Sequence, residues 1–145
     1  MRALRYNLIG IGVLAVSAAL AGCAGLDIQS AGGPCLSDSA ECVGQRTAMV
    51  RAMSADPTRS WMTQSADRDT VSSGVRLFAY QNVRDKLSCA ELTSAVSDLD
   101  AAKKILAEGP AAGQSMQRHI DIKALTDDVR AALAASKIRR CGPGT

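Results

Sequence analysis

Aromatic side chains are scarce in this sequence: one Trp, two Tyr and one Phe among 145 residues. Beyond residue 22 only Trp61, Phe78 and Tyr80 remain. A β-sandwich or barrel draws on aromatic and β-branched side chains to fill its pleated faces. Here alanine, serine and short aliphatics dominate, which argues against an all-β fold. Histidine is scarcer still, with His119 alone. No CxxC pair accompanies it, so ligand spacing suited to zinc is missing. There is no glycine-rich phosphate loop, no GxSxG and no HExxH. From sequence, therefore, no catalytic residue, cofactor site or metal site is assigned.

A dominant charge is also lacking. The chain has 17 Lys and Arg against 14 Asp and Glu. Arg2 and Arg5 fall in the first 22 residues, which hold no acid, so residues 23–145 carry 15 bases against 14 acids. That near-neutral balance gives no argument for nucleic acid as a partner.

What is present begins at the N-terminus. Met1-Arg2-Ala3-Leu4-Arg5 carries two positive charges, and there is no charged residue from Leu8 to Ala21. This apolar run is shorter than the roughly 20 residues that a helix needs to span hydrocarbon. A basic start before a short apolar stretch reads as a secretory signal peptide. It ends in Leu20-Ala21-Gly22-Cys23, which closely resembles the lipobox of bacterial lipoproteins. The resemblance implies a diacylglycerol thioether on the Cys23 thiol, cleavage between Gly22 and Cys23, and acylation of the new amino group. Each buried methylene contributes about 0.8 kcal/mol, so one acyl chain holds marginally while two or three anchor firmly. Ala24, where retention in the inner membrane is associated with Asp, favours the outer membrane by the same resemblance. These motifs cover the first two dozen residues only. The expected organisation is a signal peptide over 1–22, a lipidated cysteine and flexible tether over 23–34, and a helical domain over 35–145. The tether ends in Ser30-Ala31-Gly32-Gly33-Pro34, a flexible composition.

The domain holds four helical segments. Segment A, about 40–55, repeats Val43, Arg46, Met49, Val50 and Met53 at helical spacing, with Asp38 or Ser39 to cap it and Asp56-Pro57 to stop it. A short irregular piece with Trp61 comes next. Segment B, about 67–86, aligns Val71, Val75, Phe78, Ala79, Val83 and Leu87, with Gly74 as a weak point. Segment C, about 89–107, opens with the capping-box pair Ser88 and Glu91 and carries Leu92, Ala95, Val96, Leu99, Ala102 and Leu106 on one stripe. Asp100 and Lys104 are spaced as a surface ion pair. Segment D, about 115–139, lines up Met116, Ile122, Leu125, Val129, Ala132 and Leu133, with Lys137, Arg139 and Arg140 in its last turn. The expected fold is all-α: a small antiparallel bundle of three to four helices.

Cys35, Cys42, Cys89 and Cys141 form an even set after Cys23, and an envelope compartment permits disulfides. Two bridges are expected, with three possible pairings. A C/D hairpin would set Cys89 beside Cys141 and leave Cys35 with Cys42. An A/B hairpin would instead suit Cys42–Cys89 with Cys35–Cys141. Both stay open, the first favoured.

Four residues stand out as contact candidates. Arg76, Tyr80 and Arg84, four apart, would stack along one helix face for an acidic partner, and Trp61 could serve as an anchor. His119 as a base, or Asp127-Asp128 with Asp121 as a cation site, finds no partner set in the spacing. The expected function is a lipid-anchored, non-enzymatic interaction or accessory subunit that binds another envelope protein or component. The alternatives are a small-ligand or peptidoglycan-binding module, which needs a concave site with convergent polar groups, and an enzyme, which needs His119 beside an acid or hydroxyl.

Overall fold

The computed structural model describes residues 34–142. The expected signal peptide, Cys23 and all of the tether but Pro34 lie outside the described residues. Every regular element described is helical, so the all-α expectation is borne out.

Helix α1 spans Ala40–Ala55. Ser39 caps it by accepting the Cys42 N–H at 3.3 Å. It stops at Asp56, which takes the extended backbone that a residue before proline requires. The Asp56 carboxylate then accepts the Thr58 and Ser60 N–H groups, each at 2.9 Å, and starts a single 3-10 turn over Ser60–Thr63.

Segment B is two helices where one was expected: α2, Arg68–Ser73, and α3, Val75–Val83. The break is Gly74, whose φ of +74° is left-handed. A Cβ there would stand 2.4 Å from Ile122 Cδ1. Position 74 thus needs glycine for its backbone and for its neighbour. A 3-10 turn, Arg84–Lys86, ends this stretch.

Helix α4 spans Cys89–Ala107 and carries the expected capping box: Glu91 N–H donates to Ser88 Oγ at 3.3 Å, and Ser88 N–H donates to Glu91 Oε2 at 2.7 Å. Helix α5, Met116–Cys141, is the longest among the described residues, 26 residues or ~39 Å. The expected Asp100–Lys104 pair gives way to Arg130 of α5, which binds Asp100 with its Nε at 2.5 Å.

Helices α4 and α5 pack antiparallel, with Leu92, Leu99 and Leu106 buried against the stripe of Ile122, Val129 and Leu133. Helix α1 lies along α3 in the same direction. Their C-terminal ends meet where Asn82 Nδ2 donates to Ser54 Oγ at 3.1 Å. At their N-terminal ends Arg118 joins Asp38 and the Ser73 carbonyl. A crossover makes this possible. Residues 56–73 carry the chain back along α4, from Arg59 at Glu91 to Arg68 at Glu108.

Cys89 is bonded to Cys141 and Cys35 to Cys42. The parallel course of α1 and α3 explains why the rival pairing fails. It puts the start of α1 at the opposite end of the bundle from the start of α4.

Candidate functional site

The four contact candidates separate. Trp61, Arg76 and Tyr80 are buried, and only Arg84 reaches the surface. The expected exposed ridge is therefore corrected to a core assembly. Trp61 Nε1 donates to the Met53 carbonyl at 2.9 Å, and its ring meets Tyr80 edge-on at 4.9 Å between centroids. Arg76 lies 5.8 Å above the indole and donates to the Trp61 and Gln64 carbonyls at 2.7 and 3.0 Å. Its Nε stands 3.5 Å from the Asp98 carboxylate, which also accepts the Tyr80 hydroxyl at 2.8 Å. Burial first, and the Asp98 charge second, push the phenol well above its ordinary pKa. Tyr80 stays a proton donor. This assembly ties the crossover to α3 and α4, and its parts are occupied with one another. Arg84, the surface member, pairs with Asp85 at 3.3 Å, and its carbonyl accepts from Arg140.

His119 is buried, not exposed on its helix, and its Nδ1 has no hydrogen-bond partner. No acid or hydroxyl is hydrogen-bonded to its ring among the described residues. Asp127 is spent on Lys103 at 2.6 Å, and Asp121 accepts from Gln117 at 2.9 Å. Among the described residues no three His, Cys, Asp or Glu side chains gather as a metal site would require.

The concavity of interest lies elsewhere, in an open surface groove of about 380 Å³ between α3, the start of α5 and the loop before α1. Phe78, Ile122 and Leu125 give it an apolar floor. Asp38, Ser115 and Arg118 form one rim. Ser115 Oγ donates to Asp38 at 3.0 Å, and Arg118 lies 3.4 Å from the same carboxylate while donating to the Ser73 carbonyl at 2.7 Å. Phe78, placed by its spacing in the buried stripe of segment B, is 43% exposed here. Met116 and Val43, also expected on buried faces, are exposed as well.

Sequence reading missed this groove because its members come from three separate segments. The one local signal was a rare aromatic on a helix whose buried face was already full. With Asp38 paired to Arg118, Asp121 bonded to the neutral Gln117 amide and an apolar floor, the groove offers contact area, and no set of reacting groups gathers in it among the described residues. Among the described residues no helix is long and apolar enough to cross a membrane. The chain matches no protein-family model, no curated protein and no solved structure.

Proposed function

We propose that this protein is a lipid-anchored lipoprotein of the bacterial envelope, held through Cys23 in the outer membrane in preference to the inner. It acts there as a non-enzymatic interaction or accessory subunit that binds another envelope component. The carrying observation is the division among the cysteines. Cys35, Cys42, Cys89 and Cys141 satisfy one another in two bridges, which sets Cys23 apart at the end of the lipobox-like Leu20-Ala21-Gly22-Cys23. Disulfides suit an oxidising compartment, and the anchor resemblance leads to the same one. The groove beside Phe78 is the proposed contact surface, because an exposed aromatic over an apolar floor gains most from being covered.

Two experiments test this reading. The Cys23→Ser precursor is expected to remain uncut and unlipidated; normal acylation of that variant would remove the anchor. Crosslinking in cells, with a photoreactive residue at position 78, is expected to capture an envelope protein. Co-sedimentation with peptidoglycan in the absence of any protein adduct would replace the subunit reading with a wall-binding one.

A further inference from the structure

The two disulfides differ in what holds their sulfurs together. Cys89 and Cys141 sit on α4 and α5, whose packing keeps them adjacent whether or not they are bonded; their Cα atoms are 5.8 Å apart. Cys35 precedes α1 on a segment without regular structure. Only seven positions separate it from Cys42, and without the bond its segment is held by side-chain contacts: buried Leu36, Arg46 on the Cys35 and Ser37 carbonyls, and Asp38 with Arg118 and Ser115. Two packed helices hold Cys89 and Cys141 together, whereas side-chain contacts on a non-helical segment hold Cys35, so effective concentration favours re-closure at Cys89–Cys141.

The surroundings of Cys42 also favour a thiolate. It lies in the first turn of α1, where the helix dipole stabilises negative charge. Ser37 Oγ donates to its sulfur at 2.9 Å. The buried Arg46 guanidinium is fixed against the same small ring by bonds to the Cys35 and Ser37 carbonyls, at 2.8 and 2.7 Å. The acids nearby are Glu41, exposed, and Asp38, which lies near both Arg46 and Arg118. Within this bond Cys42 is buried and Cys35 is part-exposed, so an attacking thiol reaches Cys35 before Cys42.

We propose that Cys35–Cys42 is a redox-active disulfide that takes electrons from a dithiol donor. The donor's thiolate attacks Cys35 Sγ, a mixed disulfide forms, and the electron pair of the broken bond leaves on Cys42 as a thiolate. The donor's second thiol loses its proton and attacks its own sulfur in the mixed disulfide. Cys35 departs and takes up that proton. The donor ends as a disulfide and the protein as a Cys35 thiol and a Cys42 thiolate, two electrons richer. Opening the ring removes the covalent restraint on the loop that carries Asp38, a rim residue of the Phe78 groove. That last consequence rests on the groove as a contact surface; the reducibility of the bond does not.

The test titrates the full chain in detergent with dithiothreitol buffers of graded poise. Differential alkylation and peptide mapping then score each bridge. Cys35–Cys42 is expected to open at least tenfold more readily than Cys89–Cys141, about 30 mV for a two-electron couple, with helical circular dichroism retained. Ser37→Ala is expected to shift the first equilibrium severalfold toward the disulfide and leave the second unmoved. It should also raise the Cys42 pKa read from thiolate absorbance of the selectively reduced protein. Simultaneous opening of both bridges, or Cys89–Cys141 opening first, overturns the proposal. An unchanged Ser37→Ala profile overturns Cys42 as the leaving thiolate.

Discussion

Tyr80 and Asp98 are joined by a hydrogen bond of 2.8 Å in which the phenol donates and the carboxylate accepts. The same carboxylate lies 3.5 Å from buried Arg76, so one acid answers both a hydroxyl and a charge.

Substitutions at the two ends of that bond should differ in cost. Asp98→Ala leaves the Arg76 guanidinium inside the protein without its counter-charge, a loss of about 3 kcal/mol. Tyr80→Phe keeps the ring against Trp61 and gives up one hydrogen bond, about 1 kcal/mol. Urea unfolding curves of the two variants will show whether the order holds. Equal losses would mean that Arg76 is held by the Trp61 and Gln64 carbonyls alone.

Two glycines should respond in opposite directions to alanine. At Gly74 the left-handed backbone and the Ile122 contact both oppose a Cβ, so Gly74→Ala is expected to cost more than ~1 kcal/mol. At Gly44, inside α1, nothing lies within 4 Å of the added methyl. Gly44→Ala should stabilise by about 0.5–1 kcal/mol. Thermal melts of the pair check both signs, and a neutral Gly74→Ala would contradict the close approach.

Acid should weaken the fold through Glu91. Its pKa is lowered from the ordinary 4.5 to about 2, chiefly by the Arg59 hydrogen bond at 2.6 Å and then by the Ser88 backbone N–H. Because the folded value is depressed, the stabilisation is complete above about pH 4.5 and is lost as the pH falls toward 2. Asp56, lowered to about 2 mainly by the Thr58 hydroxyl, loses its share over a similar window. Glu91→Gln is expected to melt lower at neutral pH and to show a flatter decline between about pH 5 and 2. A variant with the wild-type slope would remove Glu91 from the acid response.

Deleting each bridge should separate them by loop length. Replacing both Cys89 and Cys141 with alanine opens a loop of sequence separation 52 and should cost about 4 kcal/mol; the Cys35/Cys42 double variant, with separation 7, should cost about 2.5 kcal/mol. Chemical denaturation measures both.

Helix ends were legible where side chains touch their own backbone. The Ser88/Glu91 box and the Asp56-Pro57 stop are local, and both are found where their residues predict them. The course of the crossover was not legible, because nothing in residues 56–67 records that they run back along α4. That course decides the fate of the Arg76–Tyr80 face. Four-residue spacing showed that the two share a face, but only tertiary placement of Trp61 shows that the face is covered. The groove was hidden for the same reason. Asp38 and Arg118 are 80 positions apart and meet only once α1 and α5 start at one end of the bundle. Gly74 was visible as a weakness, whereas its closeness to Ile122 required the third dimension.

The two bridges also set how far this molecule can be drawn out. Pulled between Pro34 and Gly142, the chain cannot lengthen inside either covalent loop, of sequence separation 7 and 52. About 50 residues remain to extend, ~170 Å at ~3.5 Å each. Most of that slack lies between Cys42 and Cys89, in α1, the crossover and α3. The α4–α5 hairpin carries the tension across a single sulfur–sulfur bond and keeps its length, so tension between these two ends would peel the first half of the domain and leave the second half closed.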